Sequence, residues 1–324
     1  MKKILDNVVT IFIVLIIFLI IIPLNTVLLD AMLILNIAVS LGILLLTMYI
    51  KEPLEFSVFP SVLLITTLMR IGLNVASTRL ILANGGDAGK IIKAFGNYVI
   101  GGNPIVGFVI FIIIVIAQFV VITKGAERVS EVAARFTLDA MPGKQMAIDA
   151  DLNSGLISEE TAKERRQKIQ READFYGAMD GATKFVKGDA ILAIIIVFVN
   201  CIGGIIIVLV QGGHTFSQVL DIYLTAIVGD GLVSQISSLM VSTATGMIVT
   251  RAASVNNLGT DLKTQFLSYP IVISISGGAL LALTLVPGFP VVTLLLLGGG
   301  LIACGYVLKR QREQVPVEEA VEPE

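Results

Sequence analysis

Eight apolar runs, split four and four by one block dense in charge, constrain this chain more than anything else in it. A membrane-crossing helix needs about 20 mostly apolar residues. Runs of that kind occupy 8–22, 27–50, 56–82, 105–122, 190–210, 221–250, 266–286 and 291–308. The solvent for most of the chain is therefore lipid, in keeping with 55% hydrophobic residues and a mean hydropathy of +0.90. The expected fold is all-α: a polytopic membrane protein of eight transmembrane helices with a helical insertion between the fourth and fifth. Residues 1–123 and 189–308 form the two membrane groups, 124–188 the charged insertion, and 309–324 the start of a linker.

Two runs are less regular than the rest. The third carries Arg70, Asn74 and Arg79, and the sixth is interrupted by Gly229-Asp230-Gly231. The first run follows Lys2 and Lys3, but it is too long for the apolar core of a signal peptide and no small-residue cleavage site follows it. It is expected to be retained as a span. Cys201 and Cys304 fall inside separate runs and are expected to be small buried hydrophobes, not a disulfide or metal site. A formal charge of −2 gives no reason to expect nucleic acid.

Basic residues set the expected orientation. Lys2 and Lys3, Lys51, the charged block, Arg251 with Lys263, and Lys309 with Arg310 and Arg312 follow one another at alternate turns of the chain. The intervening loops, 23–25, 211–218 and 287–290, lack Lys and Arg; only the loop with Lys90 and Lys93 breaks the pattern. Both termini and the charged block are thus expected in the cytoplasm.

The block, residues 124–187, holds eleven Lys/Arg and eleven Asp/Glu. Val129, Val132, Ala133, Phe136 and Ala140 recur at helical spacing and predict an apolar face. Glu127, Glu131, Arg135 and Asp139 lie four apart on a charged stripe, with Arg128 one position off it. Pairs at that spacing stabilise a helix by about 0.2–0.5 kcal/mol each, so the stripe reads either as a solvated face or as a functional surface. Met141-Pro142-Gly143-Lys144 is expected to break the helix, and a second helix to start at Ser158 with Ala162, Ile169, Ala173 and Tyr176 on its apolar side. Between them, Asp149-Ala-Asp151-Leu-Asn153-Ser-Gly155 imitates a calcium loop. The glycine needed at its sixth position is Ser154, so a connector rich in Asx turns is the better account.

Charges at the membrane are the candidate functional residues. Asp189 precedes the fifth run and reads as a helix N-cap, as a carboxylate able to bind a proton or cation, or as both. Asp30 and Arg79 sit near run ends, whereas Asp230 and above all Arg70, flanked by Leu68, Met69, Ile71 and Leu73, lie deep enough to require a partner. Arg70 is expected to be paired within or between subunits. His214, the only histidine, has no neighbouring ligand residue, and no nucleophile–base or phosphate-binding pattern occurs, so neither enzyme activity nor a cofactor is expected.

Several strings resemble the FlhA/type III secretion export-gate family: FPSVLLITTLMRIGLNVASTRLIL (59–82), VITKGAERVSEVAARFTLDAMPGKQMAIDADLNSGL (121–156), FYGAMDGATKFVKGDA (175–190), GDGLVSQ (229–235) and STATGMIVTR (242–251). The likeness runs from about residue 10 to 310, and LNVASTR is closer to flagellar than to virulence members. The resemblance implies an inner-membrane component of the export apparatus. It implies a homo-nonameric ring around other export-gate components, with the ion motive force driving export of unfolded proteins. It maps functionally sensitive positions onto Arg128, Arg135 and Asp139, and the family's boundary carboxylate, an energy-coupling candidate, onto Asp189. Family members continue into a large cytoplasmic domain that docks chaperones and substrates; this chain stops in an acidic segment, 315–324, and is expected to be the membrane half alone. Ser237-Ser238 also replaces the family's usual Pro-Ala pair. Two other readings stay open from the residues: a virulence-system gate, and a stand-alone ion or small-solute transporter, against which no internal repeat is visible. A membrane scaffold without ion movement is a third.

Overall fold

The computed structural model describes residues 8–211, 216–251, 258–285 and 290–313. Among them the chain is helical throughout, without a strand. The helices are α1 (Val8–Ile21), α2 (Thr26–Tyr49), α3 (Phe59–Ala83), α4 (Lys90–Ile100), α5 (Pro104–Ala117), α6 (Lys124–Asn153), α7 (Glu159–Gln211), α8 (Phe216–Thr250), α9 (Leu258–Leu267), α10 (Pro270–Ala282) and α11 (Val291–Glu313). Six helices are long and apolar enough to cross a membrane, and two shorter apolar ones, Thr10–Ile21 and Pro270–Leu285, account for the remaining runs. His214 and the loop 211–218 fall mainly outside the described residues, as do Lys2, Lys3 and 315–324.

The chain divides into two compact units, Met1–Ser254 and Val255–Glu324. In the first, α3 and α8 form the centre. Of their most apolar windows 61% is buried, against 22% for the rod containing α5 and for α7. The two runs that looked least like spans are therefore the two innermost helices. They carry Arg70, Asn74, Asp230 and a ladder of serines and threonines because they face protein, while the outer helices spend their Ile, Leu and Val on lipid. The same inversion is visible along α2. Leu29, Leu33, Asn36, Ser40, Ile43 and Thr47 recur at helical spacing on its buried side, and Ile34, Leu35, Leu41 and Leu45 are exposed.

Gly229-Asp230-Gly231 does not interrupt the sixth run: α8 is continuous. A Cβ at Gly229 would collide with the backbone of Ile92, so the glycine lets α4 lie directly against α8. Helix α4, unanticipated in the loop of Lys90 and Lys93, is held at its start by Asp30. That carboxylate accepts the N–H groups of Lys90 and Ile91 at 3.0 and 3.1 Å, the usual way to satisfy a helix N-terminus. Gly89 just before it has φ +119° and packs its Cα against the same carboxylate.

The charged block is an antiparallel hairpin made by α6 and the first half of α7. Three expectations are corrected here. Pro142 does not break the helix; α6 runs through it to Asn153. Pro142 and Leu138 are both exposed, so water can serve the Leu138 carbonyl that proline leaves without a donor. The calcium-like string is consequently mostly the last helical turn. The helix ends at Gly155, φ +72°, with the Leu156 N–H on the Asp151 carbonyl at 3.0 Å. The apolar side of α6 is also displaced. Ser130, Ala134 and Ile148 are buried, with Ala133 partly so, while Val129, Val132 and Phe136 are exposed. Small residues on the inner side let α7 approach closely. Ser158 does begin the next helix, its Oγ accepting the Thr161 N–H at 3.2 Å, and Ala162, Ala173 and Tyr176 are buried as expected.

Between α5 and α6 lies one π-helical turn, Gln118–Thr123. The inward residues of this rod are Gly107, Phe111, Val115 and Gln118, then Thr123, Ser130 and Ala134. A step of five replaces the usual three or four at the π turn, which absorbs one extra residue.

In the second unit, α10 and α11 pack as an antiparallel pair through Gly277 and Gly298, and through Gly305 against Ser274. Small residues at such a contact let two apolar helices meet without a hydrophobic driving force between them. Cys201 is half-buried beside the core, but Cys304 is exposed, contrary to expectation, and both are free thiols.

Candidate functional site

One face of α3 places Thr67, Arg70, Asn74 and Ser77 in the interior of the first unit, each buried. Arg70 Nε donates to Asp189 Oδ2 on α7 at 2.5 Å, with the two side chains 1% and 2% exposed. The partner expected for Arg70 is thus within the chain, 119 residues away. The cap reading of Asp189 is overturned. Helix α7 passes without a break from Glu159 to Gln211, so Asp189 sits in mid-helix and has no helix terminus to cap. Arg70 Nη1 and Nη2 and Asp189 Oδ1 have no hydrogen-bond partner among the described residues.

Desolvating two ions costs several kcal/mol each, and their attraction offsets this only with good geometry and satisfied remaining groups. With three of its five hydrogen-bonding atoms unmatched, this pair is a poor stabiliser of the fold. What it does offer is a buried carboxylate whose charge state is tied to a buried guanidinium. Adding a proton to Asp189 would leave Arg70 as an uncompensated cation, a change on the scale of about 3–5 kcal/mol.

Asp230 on α8 is 5% exposed, and the Ser77 hydroxyl of α3 lies against it. Ser77 Oγ also donates to the Asn74 carbonyl at 3.0 Å; a hydroxyl has one proton, so it serves one acceptor at a time. Further polar pairs cross the same interior. Asn36 Nδ2 donates to Ser237 Oγ at 3.0 Å, and Gln118 Nε2 to the Gln235 carbonyl at 3.0 Å. Ser237 is fully buried, and its hydroxyl ties α8 to α2 there.

The remaining candidates are not part of this site. Asp30 caps α4, and Arg79 donates to the Ile20 and Ile21 carbonyls at 3.4 and 3.1 Å, at the end of α1. Arg128, Arg135 and Asp139 lie on the exposed side of α6. Arg128 pairs with Glu131 at 2.7 Å, both well exposed, whereas Arg135 and Asp139 form no ion pair with each other among the described residues. Of the four-apart stripe, Glu127 reaches across the hairpin to Lys187 at 2.9 Å, while Glu131 pairs within α6. Arg165 and Arg166 occupy the carboxylates of Asp151 and Asp149, and no metal-sized cluster of His, Cys, Asp or Glu occurs among the described residues. Thr67 was missed: as one threonine in an apolar run it carries no distinguishing signal.

Fold and site together define a multi-pass, all-α membrane protein that gathers its polar groups inside the bundle and suspends one buried ion pair there. Among known proteins this arrangement has a definite place. The chain belongs to the FHIPEP family, whose model matches residues 16–324. It is 53% identical over 323 residues to flagellar biosynthesis protein FlhA of Bacillus subtilis, covering 98% of this chain and 47% of that protein. It is 47% identical over 312 residues to FlhA of Escherichia coli K12 (95% and 45%) and 49% identical over 302 residues to low calcium response locus protein D of Yersinia pestis (92% and 43%). The chain spans about half the length of these curated relatives. No solved structure matches it.

Proposed function

We propose that this chain is the membrane-embedded half of the export gate of a flagellar type III protein secretion apparatus, coupling ion entry at Asp189 to the passage of unfolded proteins. The names of the flagellar relatives support the system, and the buried Arg70–Asp189 pair supports the coupling. An ion taken up at Asp189 cancels the charge that holds Arg70, so each uptake biases how α3 packs on α7. The reading is one of transport without covalent catalysis and without a cofactor. In it, both termini and the α6–α7 hairpin face the cytoplasm at the bacterial inner membrane. Nine copies form a ring beside the other membrane components of the gate, and exposed Arg128, Arg135 and Asp139 meet the neighbouring copy. Secreted substrates and their chaperones are, in this reading, partners of the complete protein.

Asp189→Ala in the complete protein is expected to abolish flagellar export, read as secreted filament protein in the medium, while membrane insertion and oligomer size stay unchanged. Normal secretion by that variant sinks the coupling role. The Yersinia relative, at 49% identity, between the two flagellar ones, supplies the second reading, a virulence-system gate. Restoration of motility in a host lacking its own gate protein, by a chimera carrying this half, decides between them.

A further inference from the structure

Lys90 and Lys93 break the alternation of charge along the chain, and the fold puts both on one short helix, α4. This helix lies at the end of the bundle opposite the hairpin, level with the ends of three apolar helices. Asp30, which holds its first turn, is one turn inside the start of α2. Ile100, its last residue, packs on Gly107, one turn inside the start of α5. Gly86, in the turn that follows the end of α3, packs on Ile222 of α8. The ends of apolar helices mark the plane of the lipid headgroups, so α4 sits in that plane. It is two-sided, as an interfacial helix must be. Ile92, Gly96 and Ile100 are buried, whereas Lys90, Lys93, Asn97 and Tyr98 are exposed.

Between α4, the turn 84–89 and the first half of α8 lies a groove of about 410 Å³. Ile92, Ile222 and Ala226 form its apolar part, and Asp87, Lys93 and Asn97 its polar part. Asp87 Oδ1 accepts the Gly89 N–H at 3.3 Å. Neither Asp87 nor Lys93 forms an ion pair among the described residues, so one cation and one anion face the same space unpaired. We propose that this groove binds the headgroup of phosphatidylethanolamine, its phosphate on Lys93 and Asn97 and its ammonium on Asp87. The phosphate oxygens accept from the Lys93 ammonium and the Asn97 amide, and the primary ammonium of the lipid donates to the remaining Asp87 oxygen. Phosphatidylglycerol carries the phosphate but no cation to set against Asp87. Phosphatidylcholine carries a cation that has no N–H to donate. Lys90 does not line the groove, and Asp30 is engaged by the N–H groups of α4, so neither decides between these lipids. The assignment does not depend on the coupling reading given above.

The test is native mass spectrometry of this chain, released from detergent micelles after equilibration with phosphatidylethanolamine, phosphatidylglycerol or phosphatidylcholine at equal concentration. One phosphatidylethanolamine per chain is expected to stay bound, about tenfold more abundant than either other lipid, the scale of one charge-assisted hydrogen bond. Lys93→Gln is expected to lower its retention to the phosphatidylcholine level. Asp87→Asn, which can still accept the Gly89 N–H, is expected to abolish the preference over phosphatidylcholine, and Lys90→Gln to change neither. Equal retention of the three lipids, or an unchanged preference in Lys93→Gln, overturns the site. A loss in Lys90→Gln as large as in Lys93→Gln would mean diffuse charge and overturns the groove. Preference for phosphatidylglycerol, or an unchanged preference in Asp87→Asn, overturns the role of the ammonium. Displacement of the lipid by soluble phosphoethanolamine at the same concentration would make the occupant a soluble phosphate ester, and dimers that Lys93→Gln dissociates would make it a second copy. Either result overturns the lipid assignment.

Discussion

At Arg70 and Asp189 the cost of burial and the use of burial pull in opposite directions. Removing one partner strands a charge, so Arg70→Ala is expected to destabilise the bundle by about 3–5 kcal/mol. Replacing both with apolar side chains of similar size, as in Arg70→Met with Asp189→Leu, is expected to be neutral or stabilising by up to about 4 kcal/mol. Thermal unfolding in detergent measures both, and export by the double variant should be absent although its stability is not. A double variant that unfolds as readily as the single one would mean the pair is structural. Reading the chain as a string located both residues and required a partner for Arg70. It gave no means of joining positions so far apart, because nothing local records which faces of two helices meet.

Along the elements, Lys187-Gly188-Asp189-Ala190 imitates a helix start and Met141-Pro142-Gly143-Lys144 a helix stop, yet both lie inside long helices. Capping signals and helix breakers act through local hydrogen bonds and weak propensities, and tertiary packing overrides them. Where the local signal agreed with packing, as at Ser158, the boundary was legible. The hairpin also carries a pH response. Burial, and secondarily the nearby Glu172 carboxylate, raises the Tyr176 phenol above its ordinary value of 10.0. The folded state therefore holds this proton more tightly than the unfolded state. The resulting stability is complete below pH 10 and is lost as pH rises through the folded value. Hydrogen exchange across α6 and α7 should show protection falling above pH 10, and less steeply in Tyr176→Phe; an identical fall in the variant would place the response elsewhere.

For the molecule as a whole, apolar runs marked the helices able to meet lipid, and the least apolar runs turned out to be the central ones of the first unit. Hydropathy reports contact with lipid, so the helices that matter most to the interior are the ones it describes worst. The α10–α11 unit, built on glycine contacts, is the converse case: its runs were plain in the sequence and its packing rests on residues that hydropathy ignores.

The π-helical turn between the membrane rod and the hairpin fixes a phase relation. Each residue of an α-helix advances the chain by about 100°, so a rod with one residue fewer at Gln118–Thr123 would deliver the hairpin rotated by about that angle. The α6 side bearing Ser130 and Ala134 would then swing away from α7, and Glu127 would leave Lys187. Deleting Val120 is expected to leave membrane insertion intact and to abolish cross-linking between cysteines placed at positions 127 and 187, a pair that should join readily in the undeleted chain. Persistent cross-linking would show the hairpin to be clamped independently of the rod. In this sense the extra residue works as a keyway: it sets the angle at which the apolar rod presents the charged hairpin to α7.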